Sequence, residues 1–249
     1  MTTTTAPTKV PMDPMRKTAL IAGVAYLLTF IGSIPALALY HDILKDPNHI
    51  LVGGSDTGVL LGAVGEIICA LTGIVTAVAL YPVAKRYSER AAMGFVASRT
   101  LEAAMILVGV LSVLSLVTLH DAGASAANAG ATVTTGRALV AVHDWTFLLG
   151  PGVLPAINAF CIGTVMYRSG LVPRILPRIG LIGAPLLLAS STATLFGVFD
   201  QVSGPATLFA LPIAAWELGF GCYMTFKGFK PTVTTNAVAD PSAVHPVAA

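Results

Sequence analysis

Four charged residues lie inside long apolar stretches of this sequence, three glutamates and one arginine: Glu66, Glu102, Glu217 and Arg99. A charge at the centre of a membrane helix costs about 2.5–3.5 kcal/mol on insertion scales, so it persists only when it is paired, hydrated or neutralised. Carboxylates in such surroundings can exchange protons, bind cations or polar solutes, or serve as acid and base in catalysis. These four residues are therefore the first candidates for a functional site.

Helix geometry predicts that the three carboxylates share one thin layer. At 1.5 Å per residue, Glu66 and Glu217 lie roughly 12 Å and 16 Å from one edge of their apolar stretches, and Glu102 lies roughly 18 Å from the other edge. In an apolar core of ~30 Å, all three are near the middle. Arg99 precedes Glu102 by three residues, a spacing at which two side chains on one helix touch.

The polar centre, which also includes Asn158 of another apolar stretch, has more than one interpretation. In the first, Arg99 bridges Glu102, with Glu66 as a further partner, and the charges only hold helices in register. In the second, the group binds a proton, a cation or a polar solute. A third places Arg99 at the lipid edge, with its charge reaching the interface. Three acids against one internal base leave two negative charges, which favours the second interpretation.

Three histidines are each followed directly by an aspartate, at the edges of apolar stretches on one predicted side. Imidazole and carboxylate together are suitable ligands for zinc or another divalent metal. The candidate metal ligands are His41, His120, His143 and Asp144. The alternative is that helix ends at a membrane interface simply collect polar residues, with Trp145 as an interfacial anchor. No other cofactor is predicted.

Composition identifies the class of protein in which these residues must work. The chain has 249 residues, of which 55% are hydrophobic and only 10% are charged, whereas a soluble domain has about 25% charged residues. Too few charges are present to cover a soluble domain of this size. No basic stripe suggests nucleic acid as a partner. The sequence therefore predicts an integral membrane protein whose first partner is the lipid bilayer.

Six apolar stretches are long enough to cross a bilayer, which takes about 20 residues in a helix. The predicted fold is all-α, a bundle of six transmembrane helices within a domain of residues 15–230, with disordered cytoplasmic tails at 1–14 and 231–249. The predicted spans cover residues 18–39, 58–84, 94–119, 145–167, 179–199 and 206–226. Within the fourth span, Pro151 and Pro155 predict a kink, a feature of transporter binding sites and of ordinary membrane helices.

Basic residues predict the orientation, because cytoplasmic loops carry an excess of lysine and arginine. Eleven of the fourteen lie on the side of the two termini, and only Lys45 and Arg137 lie on the other side. Both termini are therefore predicted to be cytoplasmic. A cleaved signal peptide is the alternative for the first stretch, but 22 residues exceed the usual 7–15 of such a segment.

Several segments resemble an uncharacterised bacterial membrane family, domain of unknown function 4386. The most specific is the segment from His143 to Pro151, and the others are Arg16–Ala19, Arg99–Ala103, Leu171–Arg174 and Trp216-Glu217. The likeness runs from about Met15 to Lys230. It implies a six-span bacterial membrane protein and implies no activity. The predicted location is the inner membrane.

The sequence contains no Gly-x-Ser-x-Gly, His-Glu-x-x-His or Walker A motif, so an enzyme is the less favoured class. The favoured hypothesis is a small-solute or ion-coupled binding or transport protein that uses the mid-membrane carboxylates. A membrane-embedded enzyme, using the same acids or an outer His/Asp site, is the first alternative. A non-catalytic assembly or partner protein is the second. One cavity shared by the three glutamates would favour transport or binding.

Overall fold

The computed structural model describes residues 12–46, 51, 55–122 and 128–231, and these form helices joined by turns, without a strand. We label the helices in chain order, with π1 for a short π-helical segment. They are α1 Pro14–Leu39, α2 His41–Lys45, α3 Thr57–Ala84, α4 Glu89–Asp121, α5 Ala129–Leu149, α6 Leu154–Asn158, π1 Ala159–Gly163, α7 Thr164–Ser169, α8 Ile175–Leu195 and α9 Gly204–Phe226.

The predicted all-α fold with six membrane spans is confirmed. Helices α1, α3, α4, α8 and α9, together with the composite segment Ala129–Ser169, are long and apolar enough to cross a membrane. The fourth helical segment begins at Ala129, sixteen residues before the predicted start of its span at Trp145. Alanine and other residues that tolerate a helix continue it beyond the strongly apolar part. The predicted tails fall almost entirely outside the described residues.

The six spans form a closed ring in which each packs against its neighbours in sequence. The ring closes because α9 packs against both α8 and α1. The Arg16 guanidinium holds this junction, donating to the backbone oxygens of Met224 at 2.9 Å and Thr225 at 2.6 Å. The start of α1 and the end of α9 therefore lie on the same face. We call this the terminal face, and the other the opposite face.

Two apolar clusters fill the ring, one toward each face. The cluster toward the terminal face contains Tyr26, Phe95 and Trp216. The cluster toward the opposite face contains Tyr40 and Leu116. The four intramembrane charges lie at the level between them, as the alternation along α4 shows: Phe95 belongs to the first cluster, Arg99 and Glu102 follow, and Ala103 and Ile106 belong to the second.

The fourth span is interrupted at residues 150–153, between α5 and α6, as its two prolines predict. Proline has no N–H group and therefore leaves carbonyl oxygens of the preceding turn without helix partners. Hydroxyl groups of neighbouring spans also donate to backbone oxygens near the break: Ser191 donates to Gly152 at 2.6 Å and Ser98 to Leu154 at 3.4 Å. Hydrogen bonds from neighbouring spans thus stabilise the break. It is followed by π1, a further local irregularity.

Helices α1 and α3 are in backbone contact near the middle of the bundle. A Cβ atom on Gly65 would lie 2.6 Å from the carbonyl oxygen of Gly32, and one on Gly32 would collide with the carbonyl oxygen of Gly65. Small residues permit such close approach between membrane helices. This contact determines how near Glu66, the next residue on α3, comes to α1.

We expect Gly65→Ala to destabilise the protein, because its Cβ would push against the backbone of α1. Overpacking of this kind costs about 1–3 kcal/mol, or roughly 3–10 °C in melting temperature for a chain of this size. The matched control is Gly73→Ala on the same helix, where a Cβ meets no atom within 4 Å. Thermal melts of both variants in detergent test the difference; equal melting temperatures would contradict it.

Candidate functional site

A central cavity of about 300 Å³ is lined by residues from all six spans. Its charged lining consists of the four residues singled out in the sequence: Glu66, Arg99, Glu102 and Glu217. Apolar side chains, including Phe30 and Phe147, make up most of the rest. The three glutamates therefore converge on one cavity, as their estimated depths predict.

Arg99 is the central charge of this site. Its Nη1 donates to Glu102 Oε2 at 3.0 Å on the same helix, and its Nη2 forms an ion pair with Glu217 Oε1 on α9. The guanidinium also lies over the rings of Tyr26, at 5.1 Å, and Phe95, at 5.9 Å. Only 4% of the Arg99 side chain is exposed, so both carboxylates neutralise a fully desolvated charge.

Asn158 supports the arginine pair from the fourth span. Its Nδ2 donates to Glu102 Oε2 at 2.6 Å, so one carboxylate oxygen accepts from both Arg99 and Asn158. The amide oxygen of Asn158 is buried without a hydrogen-bond partner among the described residues. Asn158 is thus part of the polar centre through Glu102, and the cavity lining does not include it.

Glu66 lies apart from the arginine pair. No lysine or arginine of the described residues forms an ion pair with it, and its polar neighbours include the Tyr40 hydroxyl and the His143 imidazole. The hypothesis that Glu66 is a further ion-pair partner of Arg99 is therefore wrong. Glu217 is instead the second carboxylate partner of Arg99, because closure of the ring brings α9 against the centre of the bundle.

Aromatic side chains pack on one another on the side of the polar centre toward the terminal face. Trp216 stacks on Phe220 with ring centroids 4.8 Å apart, and Phe220 packs edge-on against Tyr26 at 5.4 Å. Trp216 in turn fits against Gly180, where a Cβ would lie 2.6 Å from its ring. All three aromatic residues are buried. Through the contact of Tyr26 with Arg99, they form a buried layer on the terminal side of the polar centre, which we call the aromatic floor.

A second cavity, of about 230 Å³, adjoins the first on the side of the opposite face. The two share the lining residues Leu37, Phe147, Pro151, Leu187 and Ala210. The second also reaches Gln201 and Val202, in the turn between α8 and α9. The second cavity therefore lies between the polar centre and the opposite face, on the side formed by α5, α8 and α9.

A third, small cavity of about 10 Å³ separates Glu66 from His143. A volume of about 10–15 Å³ is the least that holds one water molecule. His143 is buried and lies against Tyr40 and Phe147. Its Nδ1 is 3.5 Å from the exposed carboxylate of Asp144. His143 is thus placed between the polar centre and a group open to the surroundings.

The predicted metal ligands do not come together as one cluster. His143 belongs with Glu66, while His41 pairs with Asp42 at 3.0 Å on the surface. His120 pairs instead with Asp56, which sequence reasoning missed together with Tyr26 and Tyr40. The tyrosines belong to apolar stretches and give no sequence signal. Asp56 precedes a helix, a position at which aspartate usually signals only a cap.

Comparison with known proteins identifies the family. The model for "Domain of unknown function (DUF4386)" matches residues 21–228, most of the chain. The chain belongs to the DUF4386 family. No curated protein and no solved structure is significantly similar to it. This DUF4386 protein is thus a helical membrane protein, and its chemistry has to be inferred from its own residues.

In this DUF4386 chain, we expect Arg99→Met to be strongly destabilising, because it leaves two buried carboxylates without their counter-charge. Removing one member of a buried ion pair costs about 3–5 kcal/mol. Adding Glu102→Gln and Glu217→Gln to that variant should recover most of the loss. Unfolding in detergent measures each step, with Arg90→Met, an exposed position on the same helix, as the control. A triple variant no more stable than Arg99→Met would contradict this account.

Proposed function

We propose that this protein binds or transports a small solute or ion through the carboxylate-lined cavity at the middle of the membrane. The observation that carries the proposal is the convergence of Glu66, Glu102 and Glu217 on one cavity, which a second cavity adjoins on the side of the opposite face. A protein whose charges served only assembly would have fully paired charges and no cavity between them. An enzyme would be favoured by a closed pocket with converging histidine and aspartate side chains.

Charge balance indicates the class of ligand. Arg99 is the one basic residue among the described residues that line the cavity, against three carboxylates. With all carboxylates ionised, the lining has a formal charge of −2, and Glu66 contributes a carboxylate outside the ion pairs of Arg99. Buried negative charge has to be neutralised by protons, a metal ion or an organic cation. The proposed ligand is therefore a proton or another small cation.

The size and lining of the cavity limit a solute further. About 300 Å³ is at the small end of the range for ligand pockets, which is roughly 300–1,000 Å³. The lining is mostly apolar, with Phe30, Phe147 and Ile213 among its members. A solute with a cationic end and a short apolar body would match both parts. Breaks such as that at Pro151 recur where transporters bind their substrates.

We further propose the bacterial inner membrane as the location, with both termini in the cytoplasm. The support is the distribution of basic residues, eleven of which belong to the terminal side of the chain. In this orientation, the second cavity connects the polar centre to the outside of the cell. The aromatic floor of Tyr26, Trp216 and Phe220 then closes the cytoplasmic side.

The native Cys69, which lines the cavity, offers a direct test of access and charge. After Cys161→Ala and Cys222→Ala, the purified protein is treated with a cationic or an anionic methanethiosulfonate of similar size. Rates are measured by mass spectrometry and divided by those for a free thiol in solution. Focusing of cations by the negative cavity should favour the cationic reagent by about tenfold or more. Glu66→Gln should reduce this preference several-fold.

Two further variants complete the test. Glu89→Gln removes an exposed acid on α4 and should leave the preference unchanged. Ala210→Trp places a bulky side chain between the two cavities and should slow both reagents. If Cys69 reacts with neither reagent, the cavity is not accessible and the assembly hypothesis is favoured. Equal corrected rates for the two reagents would contradict a cation site.

We also propose that protons reach Glu66 through His143. The small cavity between the two side chains has room for one water molecule, and His143 lies next to the exposed Asp144. Imidazole is suited to this role because one ring nitrogen can accept a proton while the other donates one. The route would connect the polar centre to the opposite face without passing through the solute cavities.

Replacing His143 with phenylalanine keeps a ring of similar shape beside Phe147 and removes the proton-accepting nitrogens. We expect His143→Phe to slow the appearance of the protonated carboxyl band of Glu66 by tenfold or more after a pH jump. Time-resolved infrared spectroscopy measures this, with Glu66→Gln identifying the band. His41→Phe, at an exposed His-Asp pair, is the control. An unchanged rate in His143→Phe would exclude the route.

A further inference from the structure

The end of α4 meets the start of α3 at the opposite face, away from the central cavity. His120 and Asp121 are the last two residues of α4, and Asp56 immediately precedes α3. These two helices pack against each other, so their ends are neighbours. None of the three residues lines the central cavity, and the inference drawn from them goes beyond the proposed function.

The three side chains form a compact group. The His120 Nδ1 donates to Asp56 Oδ2 at 2.7 Å, and both side chains are about nine-tenths buried, with 11% and 10% exposed. One possible ligand atom from each of Asp56, His120 and Asp121 lies within 4.8 Å of the others. Asp121 is exposed, so the group is accessible from its surroundings.

The position of Asp56 indicates that the group has a purpose other than helix capping. An aspartate before a helix usually accepts a hydrogen bond from a backbone N–H of the first turn. The Asp56 side chain makes no such bond and is directed to His120 instead. Its Oδ1 is buried and has no hydrogen-bond partner among the described residues. A buried carboxylate oxygen without a partner is costly, and a bound cation would satisfy it.

We propose that Asp56, His120 and Asp121 bind a divalent transition-metal ion of the zinc class. One imidazole and two carboxylates form a mixed nitrogen and oxygen ligand set that suits zinc better than calcium or magnesium. Three protein ligands leave the fourth tetrahedral position for water. Bonds of ~2.1 Å at tetrahedral angles place ligand atoms about 3.4 Å apart. Rotation of the exposed Asp121 side chain can close the present spacing.

Metal binding by the full chain in detergent tests this site. The protein is stripped with chelator, titrated with Zn²⁺ by calorimetry, and analysed for bound metal after gel filtration. We expect one Zn²⁺ per chain, with Ca²⁺ in excess unable to displace it. His120→Ala and Asp121→Asn should each weaken binding by tenfold or more. Asp56→Asn should do the same, because it removes a ligand charge while preserving shape.

The control is His41→Ala, since His41 is also followed by an aspartate but belongs to an exposed pair outside the group. It should retain the wild-type affinity. Asp121 is exposed, so Asp121→Asn tests the site in a variant expected to fold, with elution volume and melting temperature checked first. Absence of Zn²⁺ binding at micromolar concentration would overturn the proposal. Displacement by Ca²⁺, or equal losses in His41→Ala and His120→Ala, would overturn it as well.

Discussion

The buried ion pairs of Arg99 are the interaction on which the rest of the bundle depends. Between helices surrounded by lipid, apolar contact gives little net attraction, so close packing and polar pairs determine which faces meet. Arg99 joins α4 to α9 through Glu217 and, through Glu102, to Asn158 of the fourth span. The guanidinium also lies over the ring of Tyr26, so that Arg99 contacts α1 as well. Four of the six spans are therefore joined around one guanidinium.

This constraint also explains why a cavity remains at the same level. Glu102 and Glu217 are turned toward Arg99, whereas Glu66 is brought near the centre by the backbone contact between α1 and α3. The break after α5 removes part of a helix wall, and Pro151 and Pro155 line the space that results. The aromatic floor lies on the terminal side of this space. The positions of the polar residues and the presence of the cavity thus result from packing contacts made by different helices.

The sequence predicted those features that depend on a single helix or on depth in the membrane. Apolar length predicted six spans, and the three-residue spacing predicted the contact of Arg99 with Glu102. The pairing of Arg99 with Glu217 depends on how the ring closes, which no periodicity encodes. Asp56 and His120 are 64 residues apart and meet only because α3 packs against α4. The side chains that the sequence did not identify as part of a site are those whose hydrogen-bond or ring-contact partners belong to another helix.

Structural and functional interpretations of these charges are compatible in this fold. One arginine between two carboxylates needs only one negative charge for neutrality, so the pairs that hold the helices still leave an excess of negative charge. Glu66, with Tyr40 and His143 as polar neighbours, adds to that excess on the side of the opposite face. The stabilising contact and the proposed cation site therefore share one layer of the membrane, because the ion pairs of Arg99 leave part of the negative charge in that layer unneutralised.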